Sequence, residues 1–280
     1  MNQIRFFLAV HAIGFYLIAL CPTASGSQGI SYSAALQTTP SIAVDDTIMV
    51  LLFSGTGWYR HPEIPAINGW LVRLGLSHGI QMDISETGTD ITKEALENYD
   101  VLLLNNANVL DKVFDPTQRQ VIEEWYQAGG GIVALHAVLV YQQGWPWIMN
   151  LGGCDFNSDS EFLKAKVLVD PEAIDHRTVK GWGTEFWYEA DWTNHTKTVT
   201  GLPGVQVLLR VDESTYEPVR ELFQTQGGKP MGEDHPIAWT RIIEGGRFFY
   251  TELGHDLRSL DTKFGRQHIV EGIRWVANEK

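Results

Sequence analysis

Gln127-Ala-Gly-Gly-Gly-Ile-Val-Ala-Leu-His-Ala137 is the stretch on which the fold reading turns. Gly129 to Gly131 end a helix, because glycine adopts the left-handed conformation that closes helices at no steric cost. Ile132 to Leu135 then run apolar without a break, the pattern of a strand buried on both faces. His136 stands where that strand emerges. In open parallel α/β sheets, ligands bind in the crevice beyond the carboxyl ends of the strands. A titratable side chain at that edge is therefore a candidate functional group. A histidine that merely hydrogen-bonds a loop is the alternative, and position alone leaves both open.

Working outward, the chain alternates strand and helix signals. Thr47 to Phe53 reads as a first strand, and Pro62 to His78 as a helix with Ile64, Ile67, Leu71 and Leu74 on one face. Ile80 to Ser85 alternates as a second strand, and Thr92 to Asn98 as a short helix. Val101 to Leu104 is a third strand that ends at Asn105-Asn106. Asp115-Pro116 starts a helix, with the cap first and proline at the first helical position, and it runs to about Ala128. The alternation predicts an α/β fold with a doubly wound, mostly parallel sheet. Past His136 the pattern loosens. Tyr141 to Gly153, with Trp145-Pro-Trp147, reads as a helical or loop lid. Leu163–Val169, Phe186–Ala190 and Val205–Val211 read as strands of an antiparallel extension in the C-terminal half. Asp212 to Asp234 reads as a long polar loop. Pro236–Ile243 and Arg247–Leu253 read as a hairpin around Glu244-Gly-Gly246, and Phe264–Asn278 as a closing amphipathic helix.

Composition narrows the class of protein. At 44% hydrophobic and 20% charged, the 280-residue chain has enough apolar matter for a packed core. A net charge of −13 argues against nucleic acid or an anionic membrane surface as partner. Residues 1–26 read as a signal peptide: Arg5 supplies the charge, Phe6 to Leu20 the apolar run, and Ala24-Ser-Gly26 the small residues for cleavage. The expected localisation is secreted, extracellular or periplasmic. Residues 27–45 read as a flexible leader and 46–280 as a single domain. Cys21 falls within the signal, so Cys154 stands alone and neither a disulfide nor a thiolate metal cluster is expected. Ser54-Gly-Thr-Gly57 lacks the spacing of a nucleotide fingerprint.

Several short motifs together resemble the ThuA-like (trehalose utilisation) family. They are Tyr59-Arg-His61 with Ile64-Pro65, the glycine-led strand ending in His136-Ala137, Trp145-Pro-Trp147, Asp212-Glu-Ser-Thr-Tyr216, Met231-Gly-Glu-Asp-His-Pro-Ile-Ala-Trp239, Tyr250-Thr-Glu-Leu-Gly-His255 and Gly272-Ile-Arg-Trp275. The resemblance implies a variant of the class I glutamine amidotransferase-like fold. It also implies a role in disaccharide or oxidised-sugar catabolism. Four positions depart from the family pattern. Trp58 replaces the usual Gly, Val140 the usual Asp and Asp159 the usual His. Phe186 stands at the usual Glu, although a one-residue shift lets Glu185 serve. In glutamine amidotransferases the strand-end position carries a nucleophilic Cys. Here that edge carries His136, and Cys154 lies on a later segment, so covalent thiolate chemistry is not expected.

The candidate catalytic residues are His61, His136, His235 and His255, which fall at strand ends or on loops able to reach them. Imidazoles near neutral pKa serve acid/base chemistry on a hydroxyl or beside a ketone. Candidate substrate-binding residues are Arg60, Asn105, Trp145, Trp147, Glu185 and Asp212. Ordinary packing, surface ion pairs and solvated loops explain the same residues, and indoles that stack on a pyranose elsewhere often just fill a core. No cofactor is expected; a divalent metal stays open, because no H-E-x-x-H or related spacing occurs. The resulting expectation is a secreted protein acting on a small carbohydrate, by hydrolysis, isomerisation or elimination. A non-catalytic sugar-binding protein on the same scaffold is the competing reading.

Overall fold

A computed structural model describes residues 47–278. The predicted signal and leader, residues 1–45, lie outside the described residues. The strands are β1 (Ile48–Phe53), β2 (Ile80–Ser85), β3 (Val101–Asn105), β4 (Gly131–Leu135), β5 (Phe156–Asp159), β6 (Leu163–Val169), β7 (Glu185–Ala190), β8 (Thr193–His195), β9 (Val205–Asp212), β10 (Pro236–Ile243) and β11 (Gly246–Thr251). The helices are α1 (Ile64–Leu76), α2 (Lys93–Leu96), α3 (Pro116–Gln127), α4 (Pro146–Gly152), α5 (Glu221–Gln224), α6 (Leu257–Leu260) and α7 (Lys263–Val276).

Nine strands form one sheet in the order β2-β1-β3-β4-β11-β10-β9-β6-β7. From β2 to β11 the neighbours run parallel, and from β11 to β7 every pair is antiparallel. Strand alternation explains why the parallel half needs cover on both sides. Val50, Leu52, Val133 and Leu135 face a core shared with Leu71 of α1 and Ile273 of α7. Leu51, Phe53, Ile132 and Ala134 face a second core shared with Ile122 of α3 and Ile148 of α4. Each fully buried Val, Leu or Ile in these layers contributes roughly 1.5–3 kcal/mol. The doubly wound α/β architecture and the antiparallel strands of the C-terminal half are both present.

The opening stretch behaves as read, and the reasons are visible. Asp115 and Gln118 form a reciprocal capping box that starts α3. Gly129 takes φ +109° where α3 releases the chain. A Cβ on Gly131 would sit 2.6 Å from the Val276 carbonyl oxygen, so only glycine lets the end of α7 close on β4. The predicted hairpin is β10–β11, in register from Ala238↔Thr251 to Ile243↔Gly246.

Two parts differ from the sequence reading. β5 and β8 pair as a separate two-stranded sheet that no periodicity announced. Asn157-Ser-Asp159 and Thr193-Asn-His195 are polar, so they carry no apolar alternation. The segment Asp212–Asp234 is not a plain loop: it holds a 3-10 turn at Glu213–Thr215 and the short α5. No helix among the described residues is long and apolar enough to cross a membrane.

Candidate functional site

Topology alone brings the chemistry to one rim. β1, β4 and β11 point the same way, and alternate antiparallel strands return β9 and β7 to that direction. Their carboxyl ends therefore share an edge, as expected of ligand sites in such sheets. His61 follows β1, His136 opens a 3-10 turn directly after β4, and His255 follows β11. Their ring centroids lie 5.0 Å (His61–His136), 4.9 Å (His61–His255) and 4.8 Å (His136–His255) apart.

A buried amide row fixes the floor beneath them. Ser54 Oγ and Asn105 Nδ2 both donate to Asn68 Oδ1, at 2.9 and 2.8 Å. Asn106 Nδ2 donates to Asn105 Oδ1 and to the Gly254 carbonyl, at 2.9 and 2.8 Å. The ends of β1, β3 and β11 are thus tied together. Asn105, expected to touch substrate, is fully buried and serves this row.

His136 sits at a strained elbow. Its φ is +52°, a left-handed conformation that costs a non-glycine residue roughly 1–2 kcal/mol. Tyr250 Oη donates to its carbonyl at 3.1 Å, and its Nδ1 lies 3.2 Å from the Glu252 carbonyl oxygen. Those bonds hold the ring at the rim. Such strain concentrates at functional sites.

Asp191 links two of the imidazoles. It follows β7 and is buried, and its Oδ2 accepts a hydrogen bond from His255 Nδ1 at 2.7 Å. The same oxygen lies 3.8 Å from His136 Nε2. Burial opposes ionisation of Asp191, but His136, the His255 hydrogen bond and the His255 charge prevail and hold it below the usual carboxylate range. Burial lowers His255, yet the Asp191 bond and charge outweigh it, and its pKa rises. His61 falls to about 3 through burial, then through the charges of His136 and His255. Burial likewise takes His136 down to about 4, against the pull of Asp191. At neutral pH the cluster holds two neutral imidazoles and one that keeps its proton more readily.

The cluster forms the inner wall of a cleft of about 510 Å³. Trp58, Tyr59, Tyr141, Phe156 and Phe223 line it, and Trp58 and Tyr59 are 61% and 50% exposed. Asp159, at the end of β5, pairs with Arg220 at 2.5 Å, and both line the cleft. Burial raises Asp159 to about 7 despite that arginine. Val140, where the resemblance expects an acid, also lines the cleft.

Behind the cluster lies a second polar layer. Glu252 Oε1 is 3.0 Å from His195 Nε2, and its Oε2 accepts from the Thr193 amide at 3.0 Å. Burial raises Glu252 to about 8 and lowers His195 to about 4, so at neutral pH a carboxylic acid faces a neutral imidazole.

The remaining candidates lie elsewhere. His235 is fully buried, with Nδ1 2.8 Å from Glu213 Oε1 and Nε2 2.8 Å from the Thr193 carbonyl, so it braces β8 rather than joining the cluster. Arg60 pairs with Glu86 at 2.6 Å on the surface. Trp145 is buried against Phe114 and donates to Glu123 Oε1 at 2.6 Å. Trp147 packs on Tyr126 and donates to Glu244 Oε2 at 2.8 Å. The two indoles therefore seat α4 on α3 and the β10–β11 turn. Glu185 lies 3.6 Å from Lys166, and Phe186 packs on Trp182 and Phe264. Asp212 Oδ1 caps the turn at Ser214. Asp191, Arg220, Glu252 and His195 are the groups that sequence reasoning did not single out for chemistry. Asp191 had a usable signal, since it follows the predicted Phe186–Ala190 strand as His136 follows its own.

The profile of the ThuA family, described as trehalose utilisation, matches residues 49–276. A ThuA-like protein from Bacteroides uniformis is similar in structure, with TM-score 0.69 and 20% identity over 86% of this chain and 96% of that one. Another from Parabacteroides merdae has TM-score 0.63 and 17% identity over 84% and 91%. No curated protein matches the chain by sequence.

Proposed function

The chain belongs to the ThuA (trehalose utilisation) family, and from that premise we propose that it is a secreted protein acting on a small carbohydrate. His61, His136, His255 and Asp191 would supply acid/base chemistry to a sugar hydroxyl or a carbon beside a keto group. The observation that carries the reading is the convergence of three imidazoles, ring centroids within 5.0 Å, at the inner wall of an aromatic cleft. Acid/base work needs a titratable group within about 3 Å of the proton that moves. Neutral His61 and His136 can accept a proton, and His255, whose pKa Asp191 raises, is the better placed of the three to donate one. Exposed Trp58 and Tyr59 offer flat apolar faces of the kind that stack on a pyranose. Asp159 and Arg220 supply acceptors and donors for hydroxyl groups.

Binding without turnover is the second reading, and Val140 supports it, because an apolar side chain occupies a cleft position where the family usually places an acid. A thermal-shift panel of mono- and disaccharides and their keto forms tests the whole proposal. A sugar at about a hundred times its Kd would stabilise the fold by about 2.7 kcal/mol. The shift is expected in the wild type and absent in His136→Ala. If no sugar in the panel moves the wild-type midpoint, the carbohydrate reading falls. A sugar that binds and is recovered unchanged leaves the binding-only reading.

A further inference from the structure

We infer that His61, His136 and His255 form a three-histidine site for a divalent transition-metal cation, with the remaining coordination position open to the cleft. Among the described residues, these three are the group of histidine, cysteine and acidic side chains placed to share one ion, with one ligand atom from each all within 4.8 Å of one another.

Orientation is the stronger argument. A metal-bound imidazole usually donates its other N–H to a carboxylate or carbonyl, which fixes ring and tautomer. Asp191 occupies that place on His255 Nδ1 at 2.7 Å, and the Glu252 carbonyl occupies it on His136 Nδ1 at 3.2 Å. Both rings therefore keep Nε2 available as a ligand. His61 Nδ1 is buried and has no hydrogen-bond partner, which is costly for a polar atom unless something fills the role. His235 shows the contrast, since both of its ring nitrogens are spent, one on Glu213 and one on the Thr193 carbonyl.

The chemistry of the donors selects the ion. Three imidazole nitrogens suit Zn²⁺, Co²⁺, Ni²⁺ or Cu²⁺, whereas Mg²⁺ and Ca²⁺ require oxygen. Tetrahedral zinc, with Zn–N near 2.0–2.1 Å, places its nitrogens about 3.3 Å apart. Side-chain rotations closing the present spacing by roughly 1–1.5 Å therefore complete the site. Three protein ligands and an open fourth position is the pattern of a catalytic rather than a structural zinc. A cation there would act as a Lewis acid on a sugar oxygen. Asp159, across the same cleft, would remain as the protein's own proton carrier.

Chelator-stripped full-length protein titrated with Co²⁺ tests this by visible absorption and calorimetry. The expected result is one Co²⁺ per chain with the intense bands of low-coordinate cobalt, displaced by Zn²⁺. His61→Gln and His255→Gln weaken binding by at least about a hundred-fold, and Asp191→Asn by about 10–100-fold. His78→Gln, on the exposed end of α1, leaves it unchanged. His136 is at a strained elbow, so its variants are not needed; a melting curve confirms that the two Gln variants are folded. Failure of the wild type to bind Co²⁺ or Zn²⁺, or full affinity in both Gln variants, overturns the inference. The sugar panel is run on both the stripped and the cation-loaded protein. Sugar binding without cation binding removes the metal site and leaves the carbohydrate reading intact. Cation binding without any sugar response does the reverse.

Discussion

Asp191 and His255 share a 2.7 Å hydrogen bond although they lie at the ends of strands from different halves of the sheet. β11 belongs to the parallel half and β7 is the far antiparallel edge. The contact therefore exists only because the loops after both strands fold back over the rim. Its electrostatics give a pH signature. His255 has a raised pKa, so its contribution to stability is complete below the ordinary value of 6.5 and is lost as pH rises through the higher folded value. Asp191 is depressed, so its contribution is present above 3.8 and is lost as pH falls through the lower folded value. The pair is strongest between 3.8 and 6.5. In Asp191→Asn, burial becomes the largest influence on His255, with Arg220 lowering and Asp159 raising it, and its titration midpoint is expected to drop below 6.5. Imidazole NMR on chelator-treated protein reads that midpoint directly. A variant whose midpoint stays above 6.5 would show that Asp191 is not the controlling partner.

Glu252 predicts a different pH response. Burial raises it to about 8, so its contribution is complete below the ordinary 4.5 and is lost as pH rises through about 8. Gln is the neutral mimic of the protonated acid. Glu252→Gln should stay within about 1 kcal/mol of wild type at pH 4 and exceed it at pH 7. Glu252→Leu leaves the buried Thr193 amide and His195 ring unpaired, at a cost of about 1–3 kcal/mol each. Urea unfolding at the two pH values separates these cases. Loss of the fold in the Gln variant at pH 7 would mean that the buried group is ionised there.

The sequence carried the parallel half of the fold almost to the residue, because Ile132–Leu135 and Val101–Leu104 are apolar runs between strong helix caps. It also carried all three histidines of the rim, because parallel strands put their ends on one edge, and it added His235, which braces β8 instead. The rest was hidden for physical reasons. β5 and β8 are held by pairing and burial of polar side chains, which leave no periodic trace. Asp191 and Arg220 reach the cleft through tertiary folding of the loops after β7 and before α5. Trp145 and Trp147 misled because an aromatic motif reads the same whether it faces a ligand or a helix.

That ambiguity yields a paired prediction. Trp145 is 3% exposed, and Trp145→Ala should cost about 3–5 kcal/mol of stability while leaving sugar affinity unchanged in the folded fraction. Trp58 is 61% exposed on the cleft rim. Trp58→Ala should change stability by no more than about 0.5 kcal/mol. It should also weaken sugar binding by about 0.5–1.5 kcal/mol. Denaturant curves and calorimetric titration with whichever sugar shifts the wild type give both numbers. The opposite assignment, with affinity lost at Trp145 and kept at Trp58, would move the sugar site to the α3–α4 face.

Asp159 supplies the last test, because its environment pulls in two directions. Burial is the larger influence and favours the protonated acid, and Arg220 at 2.5 Å favours the carboxylate. Asp191 nearby adds to the effect of burial, and His255 to that of Arg220. The balance leaves Asp159 near 7, against an ordinary 3.8. The folded protein then binds a proton that the unfolded chain releases, so this residue's contribution falls as pH rises from 3.8 to about 7. Asp159→Asn removes that slope and should make the protein more stable than wild type at pH 8, by a few kcal/mol at most. Arg220→Gln leaves burial unopposed and should push the Asp159 midpoint higher still. Carboxyl NMR titration of wild type and Arg220→Gln measures both values, and stability curves from pH 4 to 8 check the slope. A wild-type midpoint near 4 would mean that the Arg220 ion pair dominates; Asp159 would then be a fixed anion for binding hydroxyls rather than a group able to exchange a proton with substrate.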